Sequence, residues 1–430
     1  MPATVPTQAE FDALKSRVTK LEEAAPAPAP SPAPAPSPTP VPPADRQPIA
    51  KRVAGMFIGK KDYDNATKQQ AMAKMALLVL GMYRGWKGDV DGNKMKSLAV
   101  DPIKALNPAI LIGNYTVMNE CRDETDLSVS ASADIAQKLH DADWWLRNAA
   151  GEMLRYTSTY SAFDTDFTTW APVDASGDRM PQWLAKRNDK YLFGLAGFDF
   201  AYSDNSMKKY RGPDADWKRN GHDLPNDNTE VIEKWRDGEK AYWAALAQAT
   251  GIPVMGNPDN DLGYTQYKEQ LQGAFFEGAM GKSYSLTKWT DVWARYKGLM
   301  TNVKNAQRVL FNVSAAASNN DLILYGLATA LLGDGMFSLT DASESEDYSN
   351  VLWPAIFDVK LGKPTGPVPT AAMSFETWGR AYDGGQVLVN ASDSATWQSD
   401  QFNGGYHYPD GSPVGHITME PETGLIILRD

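Results

Sequence analysis

From about Arg52 onward the apolar residues fall into short runs, bounded by polar or turn-forming residues and separated by stretches of helical periodicity. The runs are Val53 to Ile58, Ala76 to Tyr83, Ala109 to Tyr115, Leu195 to Tyr202, Ile252 to Asn257, Leu271 to Glu277, Arg308 to Ser314 and Gly335 to Leu339. Continuous apolar runs of this length are the mark of strands buried on both faces. Amphipathic helices lie between several of them, most clearly Val231 to Thr250, closed by Gly251 and Pro253, and Leu286 to Asn305. Strands and helices alternating in this way predict an α/β chain folded as a (β/α)8 barrel, an architecture of about 250 residues plus insertions. The competing fold is a doubly wound open sheet, but no run is followed by the glycine-rich phosphate loop of dinucleotide-binding sheets.

The pattern divides the rest of the chain. Phe11, Leu14, Val18 and Leu21 form a short a/d seam, with Thr7 and Glu10 as a capping box, so residues 1–23 read as an amphipathic, coiled-coil docking helix. Pro, Ala and Ser dominate 24–46, which predicts an extended spacer of the polyproline kind. Residues 47–367 hold the barrel. The piece from Thr116 to Tyr191, between the third and fourth runs, reads as an insertion on the catalytic rim, with Trp144, Trp145, Trp170 and Trp183 as an aromatic platform or as the packing of a lid. Residues 368–430 alternate over Gln386 to Asn390, Val414 to Met419 and Leu425 to Leu428, with glycine turns between. They predict a small antiparallel β-subdomain leaning on the barrel.

Charge and composition narrow the chemistry. A net charge of -11, from 42 Lys and Arg against 53 Asp and Glu, with no basic run, argues against a nucleic-acid partner. A single cysteine, Cys121, and four dispersed histidines give neither a disulfide framework nor a metal-ligand spacing, so neither metal nor other cofactor is expected. The chain has no apolar run of transmembrane length and no standard signal peptide. The expectation is therefore no membrane insertion, synthesis in the cytoplasm without Sec export, and work outside the cell or on a virion.

The stretch Gly194 to Asn205 carries the strongest chemical signal. Phe198, Phe200 and Tyr202 alternate with Asp199 and Ala201, and the run stops on Asp204 and Asn205. Asp199 is expected to serve the core, held by backbone or by a barrel cation from inside. Asp204 falls at the carboxyl end of a strand, where α/β barrels keep their catalytic groups. Taken alone it could equally be a helix N-cap.

The patterns FDFAYSDN, GAFFEGAM, LWPAIFDVKLGKPTGP and GRAYDGGQVLVN, with WWLRNAAGE, together resemble the hypothetical glycosyl hydrolases of the TIM-barrel type related to endo-α-1,4-polygalactosaminidases. The resemblance runs from about Val53 to the end. It implies hydrolysis of a glycosidic bond by one carboxyl group after strand four and another after strand six, here Asp204 and Glu277. Such hydrolysis needs one protonated carboxyl and one carboxylate across an oxocarbenium-like state. Ala274, Phe275 and Phe276 precede Glu277 and would keep it protonated, as proton donor; Ser203 and Asn205 flank Asp204 and would hold it ionised, as nucleophile or base. For Glu277 the structural alternative is an ion pair with an arginine such as Arg84.

Other strand ends supply candidates for gripping a sugar: Arg84 and Trp86 after the second run, Tyr115, Asn119 and Glu120 after the third, Asn257 and Asp259 after the fifth, Asn312 after the seventh and Asp341 after the eighth. The resulting expectation is a glycoside hydrolase acting on an extracellular or cell-surface polysaccharide. Residues 1–23 would make it an oligomer or mount it on a larger particle such as a phage tail. The alternative is a catalytically inactive glycan-binding or decoration module of a virion or surface assembly.

Overall fold

The computed structural model describes residues 45–81, 92–159, 161–258, 266–343 and 348–430. The docking helix and nearly all of the spacer, with Arg84, Trp86 and Asp259, lie outside the described residues. The eight strands predicted for the barrel are all present: β1 (Val53–Phe57), β2 (Leu77–Leu80), β3 (Leu111–Val117), β4 (Phe200–Ser206), β5 (Val254–Pro258), β6 (Gly273–Met280), β7 (Val309–Ala315) and β8 (Met336–Asp341). They are parallel and close in sequence order, β8 returning to β1 through Val53↔Phe337 and Ala54↔Ser338.

The pleat sorts each strand into two faces. Ala54, Met56, Leu77, Val79, Phe200, Tyr202, Met255, Phe275 and Leu310 fill the barrel interior. Residues of the other parity, among them Leu78, Leu80, Ala201, Ala274, Phe276 and Phe311, join the layer between barrel and helices. A side chain on Gly113 would run into the Phe200 ring, so glycine there lets that phenylalanine cross the barrel.

Two expectations about the fourth strand are corrected. The strand begins at Phe200: Gly194–Ala196 finishes a helical segment that Gly197 closes in the left-handed region, at φ 69°. Phe198 therefore packs outside the barrel with the helices, off the alternation it was assigned to. Asp199 does not face the interior; it sits before the strand, accepts from Ile112 N at 2.8 Å and pairs with Lys104 at 2.9 Å. Its role is structural, exercised from the amino-terminal end of the strand. Asp204 caps no helix, since β4 runs on to Ser206.

The insertion builds α1 (Ala133–Asp141), α2 (Met180–Asn188) and a two-residue ladder in which Glu120 and Cys121 face Asp164 and Phe163. Trp144 and Trp145 are buried, and Trp170 and Trp183 pack against the same core, so these tryptophans are the packing of the insertion rather than a sugar platform. Downstream, α3 (Thr229–Thr250) starts on the Asn228 cap and ends on left-handed Gly251, within two residues of the span predicted. The next helix, α4 (Trp289–Thr301), is shorter than Leu286 to Asn305 because Leu286 and Val303 pack on the core from outside it.

After α5 (Asn320–Leu332) and β8, the C-terminal sheets comprise β9 (Thr377–Tyr382), β10 (Gly385–Asn390), β11 (Trp397–Ser399), β12 (Tyr406–His407), β13 (Ile417–Met419) and β14 (Thr423–Arg429). All are antiparallel, in a four-stranded sheet of order β9-β10-β14-β12 and a pair β11-β13. Their attachment is polar and specific: Tyr382 donates to Leu331 O at 2.7 Å and Arg380 reaches Leu332 O at 3.2 Å, satisfying carbonyls at the end of α5.

Candidate active site

The interior alternation of the strands runs directly into polar chemistry at their carboxyl ends. Two residues beyond Tyr202 comes Asp204, two beyond Met255 comes Asn257, and two beyond Phe275 comes Glu277. With Tyr115 on β3 these form one cluster, and all four are partly exposed where the interior opens. Tyr115 donates to Asp204 Oδ2 at 2.5 Å. The Asn257 amide donates to Asp204 Oδ1 at 3.1 Å and to Glu277 Oε2 at 2.8 Å, so one nitrogen joins the two carboxylates. On the far side of Glu277, Oε1 accepts from Tyr348 at 2.8 Å and from Tyr284 at 3.4 Å.

Both acids sit at irregularities in their strands. Pairing of β4 with β5 slips between Ser203 and Ser206, and pairing of β6 with β7 slips between Phe276 and Met280. The residue after each acid has a positive φ: Asn205 at 54° and Gly278 at 54°. Bulges of this kind recur at barrel rims and beside active sites, where they end the regular pairing. Asn and Gly are the residues that take this conformation at least cost. Asn312, buried in β7, holds the second bulge by accepting from Gly278 N at 3.2 Å and donating to Thr340 Oγ1 at 2.9 Å. Asn119 supports the first by donating to Asn205 O at 3.3 Å.

Electrostatics follow from this crowding. Burial and the neighbouring Glu277 charge push the Asp204 carboxyl upward, against the donors Tyr115, Asn257 and the Asn205 N–H. Burial first, then the charges of Asp204 and Asp164, push Glu120 up to about 7, with Arg211 opposing. Burial likewise raises Asp164 to about 6 although Tyr210 donates to it at 2.8 Å. Tyr115 keeps its proton because burial and the Asp204 charge raise it well above the ordinary phenol range. The grounds on which the sequence divides the two acids hold only in part: Phe276 turns outward and Glu277 is met by hydroxyls and an amide, whereas Asp204 does accept from the Asn205 N–H but draws its side-chain donors from β3 and β5.

Of the candidates for gripping a sugar, Tyr115 and Asn257 touch the carboxylates and Glu120 lies beside them. Asn119 and Asn312 are buried one layer back, engaged with backbone. Asp341 is spent on its own loop, accepting from Ser343 N at 3.0 Å, Ser343 Oγ at 2.5 Å and Asn350 Nδ2 at 3.1 Å; burial raises its carboxyl, but these donors outweigh it and hold it low. Sequence reasoning missed Tyr284 and Tyr348, and took Asn205 as a donor to Asp204 without the bulge at which it turns. The pairs Asp204-Asn205 and Glu277-Gly278, acid followed by a residue at ease with positive φ, are the signal that would have found that bulge. Among the described residues no three His, Cys, Asp or Glu side chains are grouped so as to hold a metal ion, and no helix is long and apolar enough to cross a membrane.

A closed (β/α)8 barrel with carboxylates side by side at the carboxyl ends of β4 and β6 has the architecture of a TIM-barrel glycoside hydrolase. Sequence comparison agrees: residues 104–386 match hypothetical glycosyl hydrolase family 15, and the chain belongs to that family. The match is narrower than the resemblance read from Val53 to the end. Among solved structures the chain is similar to Eubacterium rectale Amy13B, with a TM-score of 0.50 and 9% identity over 90% of this chain and 98% of that one. It is equally similar to a GH27 β-L-arabinopyranosidase from Geobacillus stearothermophilus in complex with arabinose, with a TM-score of 0.50 and 9% identity over 89% and 98%. At these identities the likeness is one of fold. No curated protein matches the chain in sequence.

Proposed function

We propose that the protein cleaves a polysaccharide with retention of configuration, Asp204 acting as nucleophile and Glu277 as acid and then base. One observation supports the reading: the Asn257 nitrogen is bonded to both acids, at 3.1 and 2.8 Å, so their nearest oxygens lie no more than about 6 Å apart, short of the about 6.5–9.5 Å that inverting enzymes keep between their carboxyls. In the first step Glu277 gives its proton to the glycosidic oxygen, the bond from that oxygen to the anomeric carbon breaks, and an Asp204 oxygen bonds that carbon. In the second, Glu277 takes a proton from water, whose oxygen attacks the anomeric carbon and releases Asp204. Burial raises the Asp204 carboxyl, and the hydrogen bonds from Tyr115 and Asn257 favour its ionised, nucleophilic form.

A cavity of about 570 Å³ opens between Tyr115, Glu120 and the insertion, walled by Val129, Ile135, Leu184 and Asn188. It gives the glycan a path away from the carboxylates. The substrate is an extracellular or cell-surface polysaccharide, and residues 1–23, carried on the Pro-rich spacer, mount the enzyme on a larger particle such as a phage tail. Removal of residues 1–44 then leaves hydrolysis intact while abolishing assembly; lost folding would refute that part.

The test of the chemistry is reducing-end release from a panel of bacterial surface polysaccharides, with proton NMR of the first-formed anomer. Wild type cleaves one of them with retention, Asp204→Asn is inactive, and Glu277→Gln keeps activity only on a 2,4-dinitrophenyl glycoside, whose leaving group needs no proton. Glycan retention without any cleavage would make the protein a binding module and overturn the proposal.

A further inference from the structure

Residues 348–350, downstream of β8, are tied at the carboxyl end of the barrel at three successive positions. Tyr348 accepts from Gly59 N through its carbonyl at 3.2 Å, Ser349 accepts from Lys60 N through its hydroxyl at 2.9 Å, and Asn350 donates to Asp341 Oδ2 at 3.1 Å. Gly59 and Lys60 follow β1 and Asp341 ends β8, so these ties span the seam at which the barrel closes. From that anchorage the Tyr348 ring leans edge-on against Phe275, with centroids 6.2 Å apart, and its hydroxyl reaches Glu277 Oε1 at 2.8 Å. Its backbone has φ 61°, a conformation that a tyrosine keeps only where surrounding contacts impose it.

We infer that Tyr348–Asn350 is a positioning strap for Glu277, and that Asp341 acts on that carboxylate at a distance, through Asn350 and Tyr348. The chain of contacts explains features that otherwise have no common cause. Asp341 stands at a catalytic strand end yet faces its own loop. A tyrosine occupies a left-handed position suited to glycine or asparagine. Glu277 is gripped from both sides, by Asn257 at one oxygen and Tyr348 at the other, which restricts its carboxyl plane. The inference rests on the reading of Glu277 as the catalytic acid, but the strap can be tested without turnover.

The experiment is the carboxyl titration of Glu277 in full-length protein carrying ¹³C-glutamate, the resonance being assigned by its loss in Glu277→Gln. Besides Tyr348, the groups that bear on this carboxylate are Asp204, Tyr115, Tyr202, Tyr284 and Asn257, and every variant retains them. Tyr348→Phe removes a donor to the ionised form, so the midpoint moves upward by about one pH unit. Asn350→Ala and Asp341→Asn leave every contact of Glu277 in place chemically, yet move the midpoint in the same direction by a smaller amount, because they release the strap.

With the polysaccharide that wild type cleaves, the alkaline limb of kcat/KM follows these shifts, and substrates with poor leaving groups lose more rate than a 2,4-dinitrophenyl glycoside. Wild-type midpoints in Asn350→Ala and Asp341→Asn, with or without a lowered melting temperature, would overturn the inference. Shifted midpoints in a protein that cleaves nothing would uphold the strap and refute the hydrolase reading instead.

Discussion

Replacing Glu120 by glutamine should stabilise this protein in alkaline solution and leave it unchanged in acid. Glu120 stands on the short ladder opposite Asp164, half-buried, and its carboxyl is raised from 4.5 to about 7 by burial and by the charges of Asp204 and Asp164. A carboxyl whose folded pKa lies above its unfolded one binds more protons in the folded state between those two values. Its contribution to stability is therefore fully present below about 4.5 and is lost as pH rises through about 7. At pH 8 the folded protein carries the whole cost of holding this charge in place, and one pKa unit corresponds to about 1.4 kcal/mol. The shift sets a ceiling of ~3 kcal/mol, which partial exposure brings to ~2 kcal/mol.

Glutamine keeps the shape and removes the charge. At roughly 2 °C for each kcal/mol in a long chain, Glu120→Gln melts about 4 °C above wild type at pH 8, with the gap closing by pH 4.5. Thermal melts of both proteins at pH 4.5, 6 and 8 measure it. A difference in melting temperature that is independent of pH, or a variant less stable at pH 8, would refute the account, since it would mean that Arg211 outweighs burial at this position.

Further predictions concern the two acids directly. Tyr115→Phe removes the hydrogen bond to Asp204 Oδ2 and lowers kcat about 10- to 100-fold with little change in melting temperature, the range expected for one bond to a charged group. In Gly278→Ala, a Cβ would lie 2.5 Å from Tyr284 Cε2 on a residue at φ 54°. The variant loses about 1–2 kcal/mol of stability by denaturant unfolding, and its kcat/KM falls because Tyr284 is displaced from Glu277. An unchanged kcat/KM in that variant would show that Tyr284 does not serve the carboxylate.

The barrel was legible because strands buried on both faces write themselves as continuous apolar runs, and every such run proved to be a strand. The misplaced start of the fourth shows where that reading weakens. Gly194 to Ala196 is as small and apolar as a buried strand, but there it is the end of a helical segment, and only the left-handed turn at Gly197 separates it from the strand. Short apolar runs carry no period long enough to tell helix from strand, so the boundary was set by tertiary packing. Of the C-terminal strands that escaped, β11 and β12 are too short to alternate, and β9, TWGRAY, is as long as β10 but its buried positions do not alternate.

The candidate site was legible to the depth of the pleat and no further. Tyr115, Asp204, Asn257 and Glu277 all lie on the interior parity of their strands, and for the three on β4, β5 and β6 counting two beyond the last large interior residue reaches the polar layer at the mouth. What lay beyond that count depended on loops. Tyr284 and Tyr348 arrive from segments with no periodicity, and Asp341 turned away from the mouth because Ser343 and Asn350, close in sequence, offered it donors that a strand-end reading ignores. The insertion tryptophans failed in the opposite sense. An aromatic supply points to sugar stacking only if the rings stay exposed, and a long insertion outside the barrel needs a core of its own, which those rings provide. Among the described residues, the rings that meet the carboxylates are those of tyrosines, whose hydroxyls bond them. In this site the aromatic residues set the charge and aim of the acids.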